Sequence, residues 1–290
     1  MRWTERRERF RALIEGKTCV HPASVFDPVS ARIAEDLGFE LGMFAGSIAS
    51  LAVLGAPDQA LITLTEFAEQ AHRICRAGAL PLLVDADHGY GNALNVMRTV
   101  EELETAGIAA LTIEDTALPQ AFGAGTAAKL ISLEEGVGKM KAAIAARRDP
   151  LLAIVGRTSA VAVSGLDDAL ARARAYAAAG VDALFFTGVR TRAQLEALAA
   201  GCRIPIVLGG VGADLNDREY LGAQGVRISL HGHQPFMAAV AAVRETMKAL
   251  REGTPPSKLA NIASAQLMQQ VSRDANYARW TQSFLDSSKK

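Results

Sequence analysis

The feature that most constrains this chain is a rhythm: eight short apolar runs, each followed by polar or helix-like sequence. The runs are TCVHPASVF (18–26), FELGMFAG (39–46), LPLLVDAD (80–87), IAALTIED (108–115), LLAIVGRT (151–158), VDALFFTG (181–188), IPIVLGG (204–210) and GVRISLHG (225–232). A near-continuous apolar run of this length reads as a strand buried on both faces, as in a parallel sheet covered by helices. Between the runs lie PVSARIAEDLG (28–38), TLTEFAEQAHRICRAG (63–78), NALNVMRTVEELETAG (92–107), LDDALARARAYAAAG (166–180) and TRAQLEALAAG (191–201). Several of these close on the glycine that commonly ends a helix. Strand and helix in alternation predict an α/β fold with a parallel sheet, and eight units favour a closed (β/α)8 barrel of the TIM type over an open sheet.

Such a barrel takes about 250 residues, so 290 residues accommodate one barrel and an appendage. The expected division is a barrel with its N-terminal helix over 1–252 and a C-terminal helical tail over 253–290. TPPSKLANIAS breaks the rhythm, and the tail then presents Tyr277, Trp280 and Phe284, which need a partner surface on this barrel or on another subunit. Half the residues are hydrophobic, and 31 basic residues balance 31 acidic ones, which excludes a disordered chain and argues against a nucleic-acid partner. Each apolar run is interrupted well short of the ~18 residues that a membrane span needs. MRWTERRERFRALIEG reads as a charged helix, and no secretory signal is visible. Cys19, Cys75 and Cys202 are far apart and form no CxxC, so they read as reduced thiols of a cytoplasmic protein rather than a disulfide frame or a zinc site.

In (β/α)8 barrels the chemistry lies at the C-terminal ends of the strands. Those ends read Gly46-Ser47, Asp85-Ala86-Asp87-His88-Gly89-Tyr90-Gly91, Glu114-Asp115, Arg157-Thr158-Ser159 and His231-Gly232-His233. Asp85 and Asp87 are two apart on a strand and so point to one side, with Glu114 beside them on the next strand. Three hard oxygen donors suit Mg2+, or Mn2+, better than Zn2+. The other reading is that these carboxylates cap helices or pair with arginines. Arg157 ends an apolar strand and must find an anion, either a substrate carboxylate or one of Asp85, Asp87 and Glu114. Ser47 after Gly46 is either an anion-holding turn or a helix N-cap. His233 is the candidate to pass a proton or hydrogen bond to substrate, and His231 reads as structural. His21 and His72 carry no assigned role, and His88, next to Asp87 on the strand, faces the opposite way and is left out of the site.

At these residues the sequence resembles the isocitrate lyase/phosphoenolpyruvate mutase superfamily. The resemblance is carried by FDPVSARIAEDLGF (26–39), GSIAS (46–50), DADHGYGN (85–92), IEDTALP (113–119), EEGVGKMKAA (134–143) and GLDDALARARAYAAAGVDALFF (165–186), in family order across 15–240. It implies a (β/α)8 barrel that binds Mg2+ and a 2-oxo acid, and a tetramer whose last helix is exchanged between subunits. The stretch from DADHGYGN through IEDTALP is most similar to the decarboxylating members, which implies a carboxy-lyase converting oxaloacetate, a 2-oxo dicarboxylic acid, to pyruvate and CO2. By the same resemblance Asp85 ligates the metal, Asp87 and Glu114 hold its waters, and Gly46, Ser47, Arg157 and His233 contact the substrate. Asp85, Arg157 and His233 then form the catalytic set.

The departures are local. The lyase members carry a lid cysteine, whereas the matching loop PQAFGAGTAAKL (119–130) has none. The family usually reads Thr-Asp or Thr-Asn after the arginine, and here it is Thr158-Ser159. Gly156 replaces alanine, and GGVGAD (209–214) is glycine-rich where the decarboxylases carry a tyrosine. Two alternatives stay open beside decarboxylation. One is a C–C lyase or hydrolase acting on a related acid such as 2-methylisocitrate; the other is a non-catalytic metabolite-binding paralogue.

Overall fold

A computed structural model of the chain describes residues 2–286 other than 124 and 126. Its elements run in the expected alternation: α1 (Arg2–Glu15), β1 (Ala23–Ser24), α2 (Pro28–Asp36), β2 (Gly42–Phe44), α3 (Gly46–Ala49), α4 (Leu64–Ala77), β3 (Leu82–Asp85), α5 (Ala93–Ala106) and β4 (Ala110–Glu114). There follow α6 (Leu133–Ala146), β5 (Ala153–Thr158), α7 (Ala160–Val163), α8 (Leu166–Ala179), β6 (Ala183–Thr187), α9 (Arg192–Gly201), β7 (Ile206–Gly209), α10 (Arg218–Ala223) and β8 (Val226–Leu230). Last come α11 (Gln234–Arg251), α12 (Ala265–Ser272) and α13 (Asp274–Phe284). The eight strands pair in parallel and in sequence order. Val20, just before β1, closes the ring: its N–H donates to Arg227 O at 2.9 Å, and its carbonyl accepts from Ser229 N at 3.0 Å. The fold is the α/β, TIM-type barrel that the apolar runs predict.

Each strand is two to six residues long, shorter than its apolar run. The flanks of each run belong to turns, because the ladder bonds end before apolar character does. Parallel pairing puts every C-terminal strand end on one rim. Helix starts are set by side chains that accept the first free N–H groups. Asp27 accepts from Ser30 N, Thr63 from Glu66 N and Thr191 from Gln194 N, each completing a capping box. Asn92 receives both Leu94 N and Asn95 N, which fixes where the third strand's loop ends and α5 begins.

The opposite rim is closed by α1. Phe10 and Ile14 enter the core, while three arginines of the same helix satisfy carbonyls that other helices leave free. Arg6 donates to Cys75 O (2.7 Å), Gly78 O (2.6 Å) and Gly107 O (3.1 Å). Arg7 reaches Ile108 O, Glu104 O and Asp149, and Arg11 reaches Leu151 O, Leu152 O and Asp182. The charged N-terminal helix is thus a structural cap.

The chain divides into two compact units, Met1–His233 and Gln234–Lys290. The division falls at the head of α11. The reason is visible in α11 itself, which buries no residue: Met237, Val240, Val243, Met247 and Leu250 are all exposed. In the tail Tyr277 and Trp280 meet edge-on at 5.2 Å, and both they and Phe284 are exposed. No helix among the described residues is long and apolar enough to cross a membrane.

Candidate active site

Strand register builds the site. Asp85 on β3 lies opposite Thr112 on β4, Glu114 opposite Arg157 on β5, and Arg157 opposite Phe185 on β6. Side chains on neighbouring strands at one level touch, and each of these pairs does. Thr112 Oγ1 donates to Asp85 Oδ1 at 2.6 Å. Arg157 Nη1 donates to Asp85 Oδ2, and its Nε lies 3.1 Å from Glu114 Oε2. The guanidinium carbon sits 5.2 Å above the Phe185 ring. Of the two readings of Arg157, the ion pair with the carboxylates is the arrangement present in this structure.

Beyond Asp85 the backbone leaves the strand. Asp87 adopts φ 46°, and Glu114 N donates to its carbonyl at 2.8 Å. Asp87 therefore reaches the mouth through a left-handed turn and not through strand alternation, the route expected from its spacing. Its carboxylate packs on Gly46, where a Cβ would lie 2.4 Å from Oδ1, so a side chain there would displace the carboxylate. Ser47 is a residue within α3, and the N-cap of that helix is Ala45, so the N-cap reading of Ser47 does not hold.

Asp85, Asp87 and Glu114 are each under a tenth exposed. Burial, then the charges of Asp85 and Glu114, push Asp87 up to about 8. Glu114 is also raised, chiefly by burial, with Arg157 pulling against the shift. Arg157 itself is raised, because Asp85 and Glu114 outweigh the cost of its burial. Three acids thus face one base, and the site is short of positive charge. Among the described residues no three acidic, histidine or cysteine side chains lie close enough to grip one ion directly. The donor set still fits Mg2+, which commonly takes one or two carboxylates and keeps several waters.

His233 enters from the end of β8, with Ser24 Oγ 2.9 Å from its Nδ1, so Nε2 is the nitrogen left for other partners. Burial lowers its pKa, and Asp85 opposes that. His231 stacks on His21 at 3.5 Å, away from the carboxylates and in keeping with a structural role. His88 is buried, and burial with Lys139 nearby lowers it to about 4.

Thr112, Ser24 and Asp58 were not among the residues expected at the site. Thr112 had a signal, since a polar residue two before Glu114 in an apolar strand must share its side. Ser24 had the same signal on β1. Asp58 lies in an irregular loop, and its raised pKa, from burial and then Asp85, places its charge in the same field. Where the family carries Asp or Asn, Ser159 Oγ accepts from Thr187 Oγ1 at 2.8 Å. Of the 119–130 loop, positions 124 and 126 lie outside the described residues, and Phe122 is fully exposed.

This arrangement of barrel, mouth carboxylates and arginine has known counterparts. Residues 10–251 match the family described as phosphoenolpyruvate phosphomutase. The chain belongs to the isocitrate lyase/phosphoenolpyruvate mutase superfamily. Among its relatives, the oxaloacetate decarboxylase of Rhodopseudomonas palustris (strain BisB18) is 64% identical over 95% of both chains. That of Bradyrhizobium diazoefficiens is 63% identical, also over 95% of both. A crystal structure of oxaloacetate acetylhydrolase with 3,3-difluorooxalacetate superposes with TM-score 0.86 at 26% identity, covering 98% of this chain and 99% of that one. Phosphonopyruvate hydrolase with oxalate and Mg2+ gives TM-score 0.85 at 26% identity, covering 97% and 99%. Members of the superfamily thus share this whole barrel, and one of them carries Mg2+ with a small dicarboxylate.

Proposed function

We propose that this chain is a divalent-metal-dependent oxaloacetate decarboxylase, forming pyruvate and CO2. The observation that carries the reading is the excess of buried carboxylate at the barrel mouth, Asp85, Asp87 and Glu114 against Arg157 alone, in a chain about 60% identical to oxaloacetate decarboxylases. Mg2+, or Mn2+, would be held by Asp85, with Asp87 and Glu114 reaching it through water, and would supply Lewis-acid stabilisation of negative charge.

The remaining work falls to the chain. Arg157 binds a substrate carboxylate, its planar fork matching two oxygens. Gly46 and Ser47 hold anionic oxygen beside Asp87. As the C3–C4 bond breaks, CO2 departs and the electron pair moves onto the C2 carbonyl oxygen. No base is needed to start this step, which fits a 119–130 loop without cysteine. A proton must then reach C3, and His233, steered by Ser24, moves it through Nε2. Phe185 and the rest of the apolar wall exclude water from the breaking bond. A C–C lyase would need an acid or base in that loop, and Lys129 is the only titratable residue its sequence offers.

The exposed stripe of α11, with Tyr277, Trp280 and Phe284, supports assembly as a homotetramer with exchanged C-terminal helices. The buried thiols of Cys19, Cys75 and Cys202, none in a disulfide, fit the reducing cytoplasm. The test of the activity is pyruvate formation from oxaloacetate with Mg2+, measured against the metal-only rate. Truncation after residue 252 tests the assembly. Loss of native size on a sizing column supports exchange of the tail, and a soluble protein of unchanged size refutes it.

A further inference from the structure

Between β3 and α5 the backbone passes through four residues at positive φ: Asp87 (46°), Gly89 (79°), Tyr90 (59°) and Gly91 (148°). Two of them are not glycine, and such a residue keeps this conformation only where its surroundings impose it. Here the surroundings act on three consecutive carbonyls. Glu114 N donates to Asp87 O at 2.8 Å, Lys139 Nζ to His88 O at 2.9 Å, and Thr99 Oγ1 to Gly89 O at 3.0 Å. The first bond comes from the neighbouring strand and the third from the helix that follows the turn.

Lys139 is the unexpected member. It sits on α6, 51 residues away, and is only 3% exposed. Burial lowers its pKa, while Glu135, Glu114 and Asp115 pull it back. Among the described residues it makes no ion pair, the neighbouring pairs being Arg157 with Glu114 and Arg172 with Asp115. A buried ammonium without an ion-pair partner is costly, and a methionine on this helix face would avoid the cost. The hydrogen bond of Lys139 goes to the carbonyl directly after Asp87, whose carboxylate packs on Gly46.

We infer that Lys139 is a positioning residue for the active site: by clamping the His88 carbonyl it fixes the left-handed Asp87 that aims its carboxylate at Gly46. This deepens the proposed metal site and rests on that reading. Two measurements on the full-length protein test it, amide exchange over 85–91 and the dissociation constant for Mn2+ by electron paramagnetic resonance. Lys139→Met is expected to speed exchange in the turn at least tenfold, leave β5 to β7 unchanged, and weaken Mn2+ binding ~10–100-fold, as loss of a group supporting a metal ligand does. Lys139→Arg, which restores a charged donor, is expected to recover binding to within threefold. A folded Lys139→Met protein with unchanged exchange, or with a looser turn and Mn2+ affinity within twofold of the parent, overturns the inference. Should Lys139→Met not fold, Lys139→Gln carries the same test with the charge removed, and unchanged exchange and affinity there overturn it as well. If the parent binds no Mn2+, the metal reading fails. The clamp is then judged by exchange and by kcat for oxaloacetate: a loosened turn with kcat down tenfold upholds it, and an unchanged kcat overturns it.

Discussion

The two rims of the barrel treat charge in opposite ways. At the N-terminal rim, Arg7 and Arg11 meet carbonyls and the carboxylates Asp149 and Asp182, and Arg147 doubles the contact with Asp182. At the C-terminal rim, Asp85 and Glu114 share Arg157, and Asp87 beside them is pushed up to about 8 by burial and then by their charges. The rims share one barrel, but Asp149 and Asp182 are half-buried whereas Asp85, Asp87 and Glu114 are buried. What marks it is charge left without compensation. Balanced buried charge holds elements together, whereas a deficit of one sign is a vacancy for a charged ligand.

The largest expected effect breaks the comparison at the mouth. Asp85→Asn is expected to lower kcat/KM at least ~1,000-fold, a loss of the size seen when charge stabilisation is removed. Its urea midpoint should stay near the parent's, because Glu114 still pairs with Arg157. At the other rim the outcome should invert. Arg7→Ala removes the ion pair of half-buried Asp149 and the donor of two carbonyls and is expected to cost about 2 kcal/mol in urea unfolding, with kcat of the folded fraction within twofold. If Arg7→Ala removed activity without stability, the division of labour between the rims would fail.

A smaller effect sharpens the boundary between the two kinds of charge. His88 lies beside the carboxylates, yet its pKa is lowered from 6.5 to about 4 by burial and then by Lys139. The unfolded chain takes up a proton on His88 below pH 6.5 that the folded state refuses until about pH 4. The neutral ring thus contributes stability above pH 6.5, and that contribution drains away as pH falls toward 4. The difference in unfolding free energy between the parent and His88→Gln is expected to shrink by about 3 kcal/mol across that window. A pH-independent difference would mean that His88 is not held neutral. Smallest is Thr112→Val, which removes the bond to Asp85 but no charge. A kcat lowered about threefold to tenfold with unchanged stability is expected, measured by steady-state kinetics at saturating Mg2+.

How much of this was legible in the sequence differs between fold and site for a physical reason. The strands were readable because helices cover their outer face and the packed barrel interior their inner one, so almost every position is apolar; IAALTIED and LLAIVGRT need no context. The polar strand ends Asp85, Glu114 and Arg157 stood out against that background. The left-handed turn at Asp87 did not, because an aspartate at positive φ leaves no mark that differs from ordinary strand spacing. Arg157 could not be assigned between substrate and protein carboxylates, since register decides that and register is a property of the closed sheet. The α11 stripe was not singled out in the sequence and is exposed in the single chain, because apolar periodicity says that a face is covered and not by what. Lys139 looked like any lysine of an amphipathic helix, and only burial sets it apart.

The central claim is that the acid excess at the mouth is a metal site serving decarboxylation. It is tested most directly by measuring pyruvate formed from oxaloacetate across a Mg2+ titration, for the parent and Asp85→Asn side by side. The account predicts saturable, Mg2+-dependent turnover in the parent, abolished by EDTA, and no rate above the metal-only background in Asp85→Asn. Turnover in the parent that ignores EDTA, or an Asp85→Asn protein as active as the parent, would contradict it.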